Sequence, residues 1–146
     1  MPRLAFNHID EVPSVEVMPQ MHGDRKAAIH LKILERTAER LVSYTRYDPG
    51  YVVARHSHGG DEVIYIIEGD VMMGDVRCRP GTSIVLEKGA SIGPIVAGDQ
   101  GTVLLEIFLG AEAGNPIYLD DEESRRLFQS RGIDPLLDDA APSTAI

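Results

Sequence analysis

The sequence predicts an all-β domain, either a sandwich or a barrel, and two observations support this. Short runs of apolar and β-branched residues recur along residues 28–110, and turns rich in Gly, Pro and Asp separate them. Many short strands at close spacing are typical of antiparallel sandwiches and barrels. The chain has 146 residues, which suits one domain of ordinary size.

Taken in order, residues 1–27 are mixed in character and are predicted to form an N-terminal arm, in which residues 14–18 are an edge strand or an extended segment. From Ala28, apolar and polar residues alternate, which predicts a half-buried strand. By the same alternation His30 points outward. Further strands are predicted over residues 41–47, 71–74, 76–79, 82–86 and 102–109.

The C-terminal part, residues 111–146, is predicted to hold a short helix and a disordered tail. Acidic residues at positions 120–123 favour a helix N-terminus, the basic Arg125 and Arg126 follow, and Gly132 can end the helix. Residues 138–146 lack the apolar content of a packed element, so we expect them to be disordered.

Composition excludes several classes of partner. The hydrophobic content of 43% and the charged content of 25% are typical of a soluble globular protein. The net charge is −9 and the basic residues are scattered, so we expect no nucleic-acid partner.

No apolar run is long enough for a membrane span, and we see no secretory signal. The single cysteine, Cys78, fits a structural role in a reducing cytoplasm, which is the expected location.

The candidate metal-ligating side chains lie within residues 50–69, which we call the first motif. His56 and His58 share one face of a predicted strand, and residues 59–61 predict a turn. If this turn makes a hairpin, both imidazoles and the carboxylate of Glu62 meet at one end of it. Imidazole and carboxylate are ligands for a divalent transition ion such as Fe, Mn, Ni, Zn or Cu. The alternative is a surface hairpin with two solvated histidines. We disfavour it because imidazoles beside an apolar face need polar partners.

The first motif resembles that of the cupin superfamily, which reads G, five residues, H-x-H, three or four residues, E, six residues, G. The five fixed positions are filled at the right spacing by Gly50, His56, His58, Glu62 and Gly69. The resemblance implies a small single-domain cupin: a double-stranded β-helix, or jelly-roll, over residues 28–110. It also implies one divalent metal (Fe, Mn, Ni or Zn) in the barrel, a small-molecule ligand or substrate, and a homodimer.

The sequence departs from the family at what we call the second motif, residues 81–96. Gly81 and Gly89 fill the motif's two glycine positions at the expected spacing. Glu87 stands in place of the family's proline, Ile92 in place of its histidine and Val96 in place of its asparagine. Since the chain has no histidine after His58, the family's fourth protein ligand is absent.

Two functions therefore remain open. In one, His56, His58 and Glu62 hold an ion whose open positions serve an oxygenase-, isomerase- or lyase-type enzyme. Glu106 is a candidate to assist, because strand alternation allows it to face the cavity, although an outward orientation is slightly preferred. Glu87 is a weaker candidate near a strand end. In the other, the site is degenerate and the barrel binds a small ligand or a metal without catalysis.

Overall fold

The computed structural model describes residues 1–112 and 114–136, and they form a mainly antiparallel β-structure with one α-helix. The strands β1 to β11 span Val15–His22, Arg25–Arg36, Arg40–Tyr47, Val52–Val53, His56–His58, Glu62–Met73, Val76–Cys78, Ser83–Leu86, Ile95–Leu109, Pro116–Tyr118 and Ile133–Pro135. The helix α1 spans Glu122–Ser130, and a 3-10 turn spans Ile9–Glu11. The predicted all-β fold with a short C-terminal helix is confirmed. The predicted tail, residues 138–146, lies outside the described residues.

Nine strands form one large sheet, and two form a small one. The large sheet runs in the order β11-β1-β2-β3-β9-β6-β7, while β4 pairs with β9 and β8 pairs with β6. The small sheet consists of β5 and β10. Strand β1 belongs to the segment predicted as an arm, and β11 belongs to the C-terminal segment, so both flanks of the chain add to the large sheet.

The centre of the large sheet is the pairing of β6 with β9. These two strands are longer than predicted, since β6 continues through Gly69 to Met73 and β9 begins at Ile95. Register shifts beside Gly69 bend the pair while its hydrogen bonding continues. Gly69 has a φ of +73°, and a Cβ there would lie 2.1 Å from the carbonyl oxygen of Gly101. Only glycine therefore fits this bend.

The inward side chains of the sheet form one apolar core. The buried members at its centre come mainly from β2, β6 and β9, and they include Leu31, Ile64, Ile66, Val71 and Leu104. Within the described ranges, no helix is long and apolar enough to span a membrane. One group of buried polar residues forms the candidate site; its members are Ser43, Thr45, His56, His58, Glu62 and Glu106.

Candidate metal centre

The two motif histidines lie on β5, a strand whose partner comes from far along the chain. His56 pairs with Tyr118 of β10, and His58 pairs with Pro116. On its other side, His56 exchanges two backbone hydrogen bonds with Ile92, at 3.0 and 2.8 Å. The predicted hairpin between the histidine strand and the following strand is therefore wrong, because β5 pairs with β10 while β6 pairs with β8 and β9.

Glu62 reaches the same place as the histidines because Asp61 fixes the turn that precedes it. The Asp61 carboxylate accepts a hydrogen bond of 2.8 Å from the backbone N–H of Lys88. Its carbonyl oxygen accepts one of 2.9 Å from the N–H of Leu109. The turn is thus bound to the ends of β8 and β9, and Glu62 begins β6 between Leu86 and Phe108.

A backbone hydrogen bond defines the tautomer of His56. Its Nδ1 lies 2.9 Å from the carbonyl oxygen of Ala54, so Nδ1 carries the hydrogen and Nε2 keeps its lone pair. Burial lowers the pKa of His56, and the bond to Ala54 offsets this only in part. The imidazole is therefore neutral near pH 7, which is the form that binds a metal.

His58 and Glu62 form a close buried pair. The Nε2 atom of His58 lies 3.3 Å from Oε2 of Glu62, and the glutamate side chain is only 2% exposed. Within the described part of the chain, this carboxylate oxygen accepts no hydrogen bond of good geometry. The ring of His58 packs at 5.0 Å from those of both His56 and Phe108, measured between centroids.

Glu106 lies inside the barrel, so the slight preference for an outward orientation is wrong. On β9 the buried residues Leu104, Glu106 and Phe108 alternate with half-buried Leu105 and Ile107. The Glu106 carboxyl shares a hydrogen bond with Glu62 and accepts another from the hydroxyl of Thr45. This contact brings together two carboxyl groups from neighbouring strands.

Burial controls the charge of these two carboxyl groups. It raises the pKa of Glu62 well above the ordinary value, and the neighbouring Glu106 raises it further. Burial also raises the pKa of Glu106, although hydrogen bonds from Glu62 and Thr45 partly oppose the rise. Two buried carboxylates in contact repel each other, so the ionised form of both at once requires a cation between or beside them.

The structure excludes the other sequence candidates from this site. Glu87 is exposed at the end of β8. Cys78 is buried and unpaired with another cysteine, and burial raises the pKa of its thiol, which agrees with a structural role. His30 binds Asp48 at 3.0 Å on the opposite face of β2 from the core. Ile92 is buried beside His56, where the second motif would otherwise supply a histidine.

Three polar residues of the site were not predicted from the sequence. Ser43 and Thr45 are buried on the inner face of β3, and their hydroxyl oxygens lie 2.9 Å apart. Their spacing of two within an apolar strand was a usable signal. Tyr118 places its ring 5.7 Å from that of His56, and burial raises its pKa to about 12. No local pattern could have shown this, because about 60 residues of chain separate Tyr118 from His56.

The donor groups fit a divalent transition ion in chemistry and, for one pair, in distance. Two donor atoms bonded to one ion at about 2.0–2.2 Å lie roughly 3.0–3.5 Å apart, which matches the 3.3 Å between His58 and Glu62. However, no three His, Cys, Asp or Glu side chains among residues 1–112 and 114–136 are arranged to hold an ion. Binding therefore requires at least one side chain of the set to turn.

Comparison with known proteins identifies the family. A family model described as the ChrR cupin-like domain matches residues 12–111, which is more than half of the chain. The chain belongs to the ChrR cupin-like family. No curated protein matches its sequence. The match covers both motifs and every strand from β1 to β9, so the cupin resemblance of the first motif is confirmed.

Solved structures of other cupins share this fold at low sequence identity. The polyketide cyclase RemF from Streptomyces resistomycificus has a TM-score of 0.62 and 17% identity, covering 89% of this chain and 93% of its own. An acetylacetone dioxygenase from Acinetobacter johnsonii has a TM-score of 0.65 and 14% identity, covering 83% and 81%. KdgF from a Halomonas species has a TM-score of 0.58 and 22% identity, covering 72% and 92%. These likenesses show the fold alone.

Proposed function

We propose that this cupin is an enzyme that acts on a small molecule with one divalent transition ion, which is bound by His56, His58 and Glu62. The observation that carries the proposal is the buried donor set: the neutral His56 ring with Nε2 available, and the His58–Glu62 pair at ligand spacing. The metal, when bound, supplies Lewis acidity toward a substrate oxygen or redox chemistry. The reaction is of oxygenase, isomerase or lyase type, and the fold relatives include a dioxygenase and a cyclase by name.

The chain's own residues supply orientation and exclusion of water. The carbonyl of Ala54 fixes the ring of His56. Phe108 packs against His58, and buried core residues such as Ile64 and Ile66 close the far side of the site. Tyr118 is 43% exposed, so its position beside His56 places it between the site and solvent. A small substrate that enters here meets an apolar wall with a few polar groups at one end, as in most small-molecule sites.

Metal analysis of protein purified without an affinity tag tests this proposal. We expect about one equivalent of a divalent transition metal in the wild type and none in the double variant His56→Ala with His58→Ala. The matched control is His8→Ala, which removes an exposed histidine that is not part of the proposed ligand set. Full metal content in the double variant, or none in metal-loaded wild type, would contradict the proposal.

A second candidate is a non-catalytic cupin that binds a small ligand or a metal. Ile92 favours it, because an alkyl side chain at this place can neither bind an ion nor transfer a proton. The hydrogen bond between Glu62 and Glu106 also favours it, since it gives the carboxyl group a partner in the absence of metal. Under this alternative, the histidines donate hydrogen bonds to an organic ligand, and a metal-free barrel would still bind that ligand.

We also propose a homodimer and a cytoplasmic location. The outer face of the sheet supports the dimer: Val85, Val63, Ile107 and Val42 stand side by side on β8, β6, β9 and β3. Val85 is 72% exposed and the other three are half-buried, and an apolar row of this kind supports an interface. Light scattering should show a dimer at micromolar concentration, and Val85→Glu should shift it toward monomer. A monomeric wild type would contradict the dimer.

A further inference from the structure

The proposed ion lacks a ligand at the place where the second motif approaches the site. Ile92 occupies that place, and its backbone is bonded to His56 in both directions. The side chain of Ile92 is buried and belongs to the apolar core. An ion held by His56, His58 and Glu62 alone would face an alkyl group on this side.

Glu106 approaches the same donor set from another strand. It lies on β9 opposite Ile64 of β6 and Ser43 of β3, and its side chain is on the inner face. Its carboxyl group contacts that of Glu62, which in turn lies 3.3 Å from His58. A carboxyl group in contact with one ligand of an ion lies within reach of that ion after a small rotation.

The surroundings of Glu106 are those of a ligand that is held in position. The Thr45 hydroxyl donates to its carboxylate, and the Ser43 hydroxyl lies 2.9 Å from that of Thr45. Metal-ligating carboxylates are commonly oriented by such outer hydrogen bonds. Among residues 1–112 and 114–136, neither Glu62 nor Glu106 forms an ion pair with a lysine or an arginine. A divalent cation would therefore supply the positive charge that this buried pair lacks.

We propose that Glu106 is the fourth protein ligand of the ion, in place of the histidine that Ile92 replaces. The inference rests on the proposed function. It gives the site two imidazoles and two carboxylates, a harder donor set than three histidines and one carboxylate. Such a set shifts preference toward ions that accept oxygen ligands. Thr45 is then a positioning residue, which acts through the orientation of Glu106.

Calorimetric titration with Co²⁺ and Zn²⁺, together with the visible spectrum of the Co²⁺ form, tests this role without measuring activity. We expect Glu106→Gln to weaken binding by about 10- to 100-fold and to change the Co²⁺ spectrum, because an anionic carboxylate ligand is replaced by a neutral amide. Glu87→Gln is the matched control, since Glu87 is exposed, and it should change neither. Adding Ile92→His to Glu106→Gln should restore affinity by returning a ligand to the second motif.

The outcomes separate this inference from the proposed function. If the wild type binds one ion and Glu106→Gln binds it with equal affinity and an unchanged spectrum, Glu106 is not a ligand and the three-ligand site stands. If the wild type binds neither ion, the proposed function fails and the inference fails with it. Should Glu106→Gln not fold, Glu106→Asp keeps the charge but shortens the reach. Weaker binding with a changed spectrum in that variant supports the inference, and unchanged binding overturns it.

Discussion

The backbone bridge between His56 and Ile92 joins the first motif (residues 50–69) to the second motif (residues 81–96). The two motifs contribute side chains of opposite polarity at this bridge. The first motif contributes buried polar groups, two imidazoles and a carboxylate. The second contributes a buried alkyl side chain and keeps its polar Glu87 at the surface. Both motifs therefore contribute backbone to the barrel, while only the first motif contributes side chains that can bind a metal.

This difference shows that the fold and the site are specified by different residues. Glycines and apolar side chains determine the barrel, and Ile92 bonds to His56 through its backbone, so the β-structure here does not require a histidine side chain. The ligand that the second motif lacks must then come from elsewhere, and our proposal assigns this role to the buried Glu106 of the neighbouring strand β9. Substitutions in each motif, and one at the turn that precedes the first motif, test this difference.

The largest expected effect is at the glycine that ends the first motif. Gly69→Ala should destabilise the protein by about 3–5 kcal/mol, because the new Cβ meets the carbonyl oxygen of Gly101 at 2.1 Å and φ is +73°. Gly81→Ala in the second motif also has a positive φ, +92°, but its Cβ would meet no atom within 4 Å. It should cost only about 1–2 kcal/mol. Equal midpoint shifts for the two variants in urea unfolding would show that the clash at Gly69 is relieved cheaply.

A smaller loss is expected at the apolar residue of the second motif. Ile92→Ala should lower the free energy of unfolding by about 2–4 kcal/mol, because the side chain is 8% exposed and packs in the core. Ile117→Ala on β10 is the control, since Ile117 is 54% exposed and should cost less than about 1 kcal/mol. Thermal unfolding of both variants measures the difference. A negligible loss for Ile92→Ala would mean that this position does not stabilise the barrel.

The smallest effect concerns Asp48, at the turn that leads into the first motif. Burial raises its pKa, but hydrogen bonds with His30 and the backbone N–H of Ala28, and the nearby Arg46, more than offset this and hold the pKa below its usual value. The carboxylate therefore stabilises the fold above the ordinary aspartate pKa of about 3.9, and this stabilisation is lost as the pH falls through the folded-state pKa.

Asp48→Asn should cost about 1–2 kcal/mol at pH 7. The gap to the wild type should close as the pH falls below about 4, when the wild-type carboxylate also gains its proton. Asp99→Asn, at an exposed position, is the control and should leave stability unchanged at both pH values. Urea unfolding at pH 7 and at acid pH measures the gap, and a constant gap would show that the charge of Asp48 is unimportant.

The sequence was informative about the fold because its signals are local. The alternation from Ala28 and the turn glycines predicted strands that the structure contains, and the acidic start of the helix predicted α1, whose N-cap is Asp121. The helix begins where Asp121 accepts a hydrogen bond from the N–H of Ser124. Pairing was less predictable, since β5 finds its partner β10 about 60 residues later and not across the adjacent turn.

The candidate site was partly predictable for the same reason. The spacing of His56, His58 and Glu62 predicted that they lie together, and all three are buried, although the hairpin from which this was argued is wrong. Whether they bind a metal stays a prediction. The orientation of Glu106 could not be derived, because β9 has 15 residues and its inner face depends on register with β3 and β6.

Anomalous X-ray diffraction from crystals of the Zn²⁺- or Co²⁺-loaded protein tests whether the barrel holds a metal ion. We predict one anomalous peak inside the barrel, at about 2.0–2.3 Å from Nε2 of both His56 and His58 and from a carboxylate oxygen of Glu62. Glu106 should complete the set of protein ligands. A barrel without a peak, or a peak only at His8, His22 or His30, would contradict the metal site and favour the non-catalytic ligand-binding cupin.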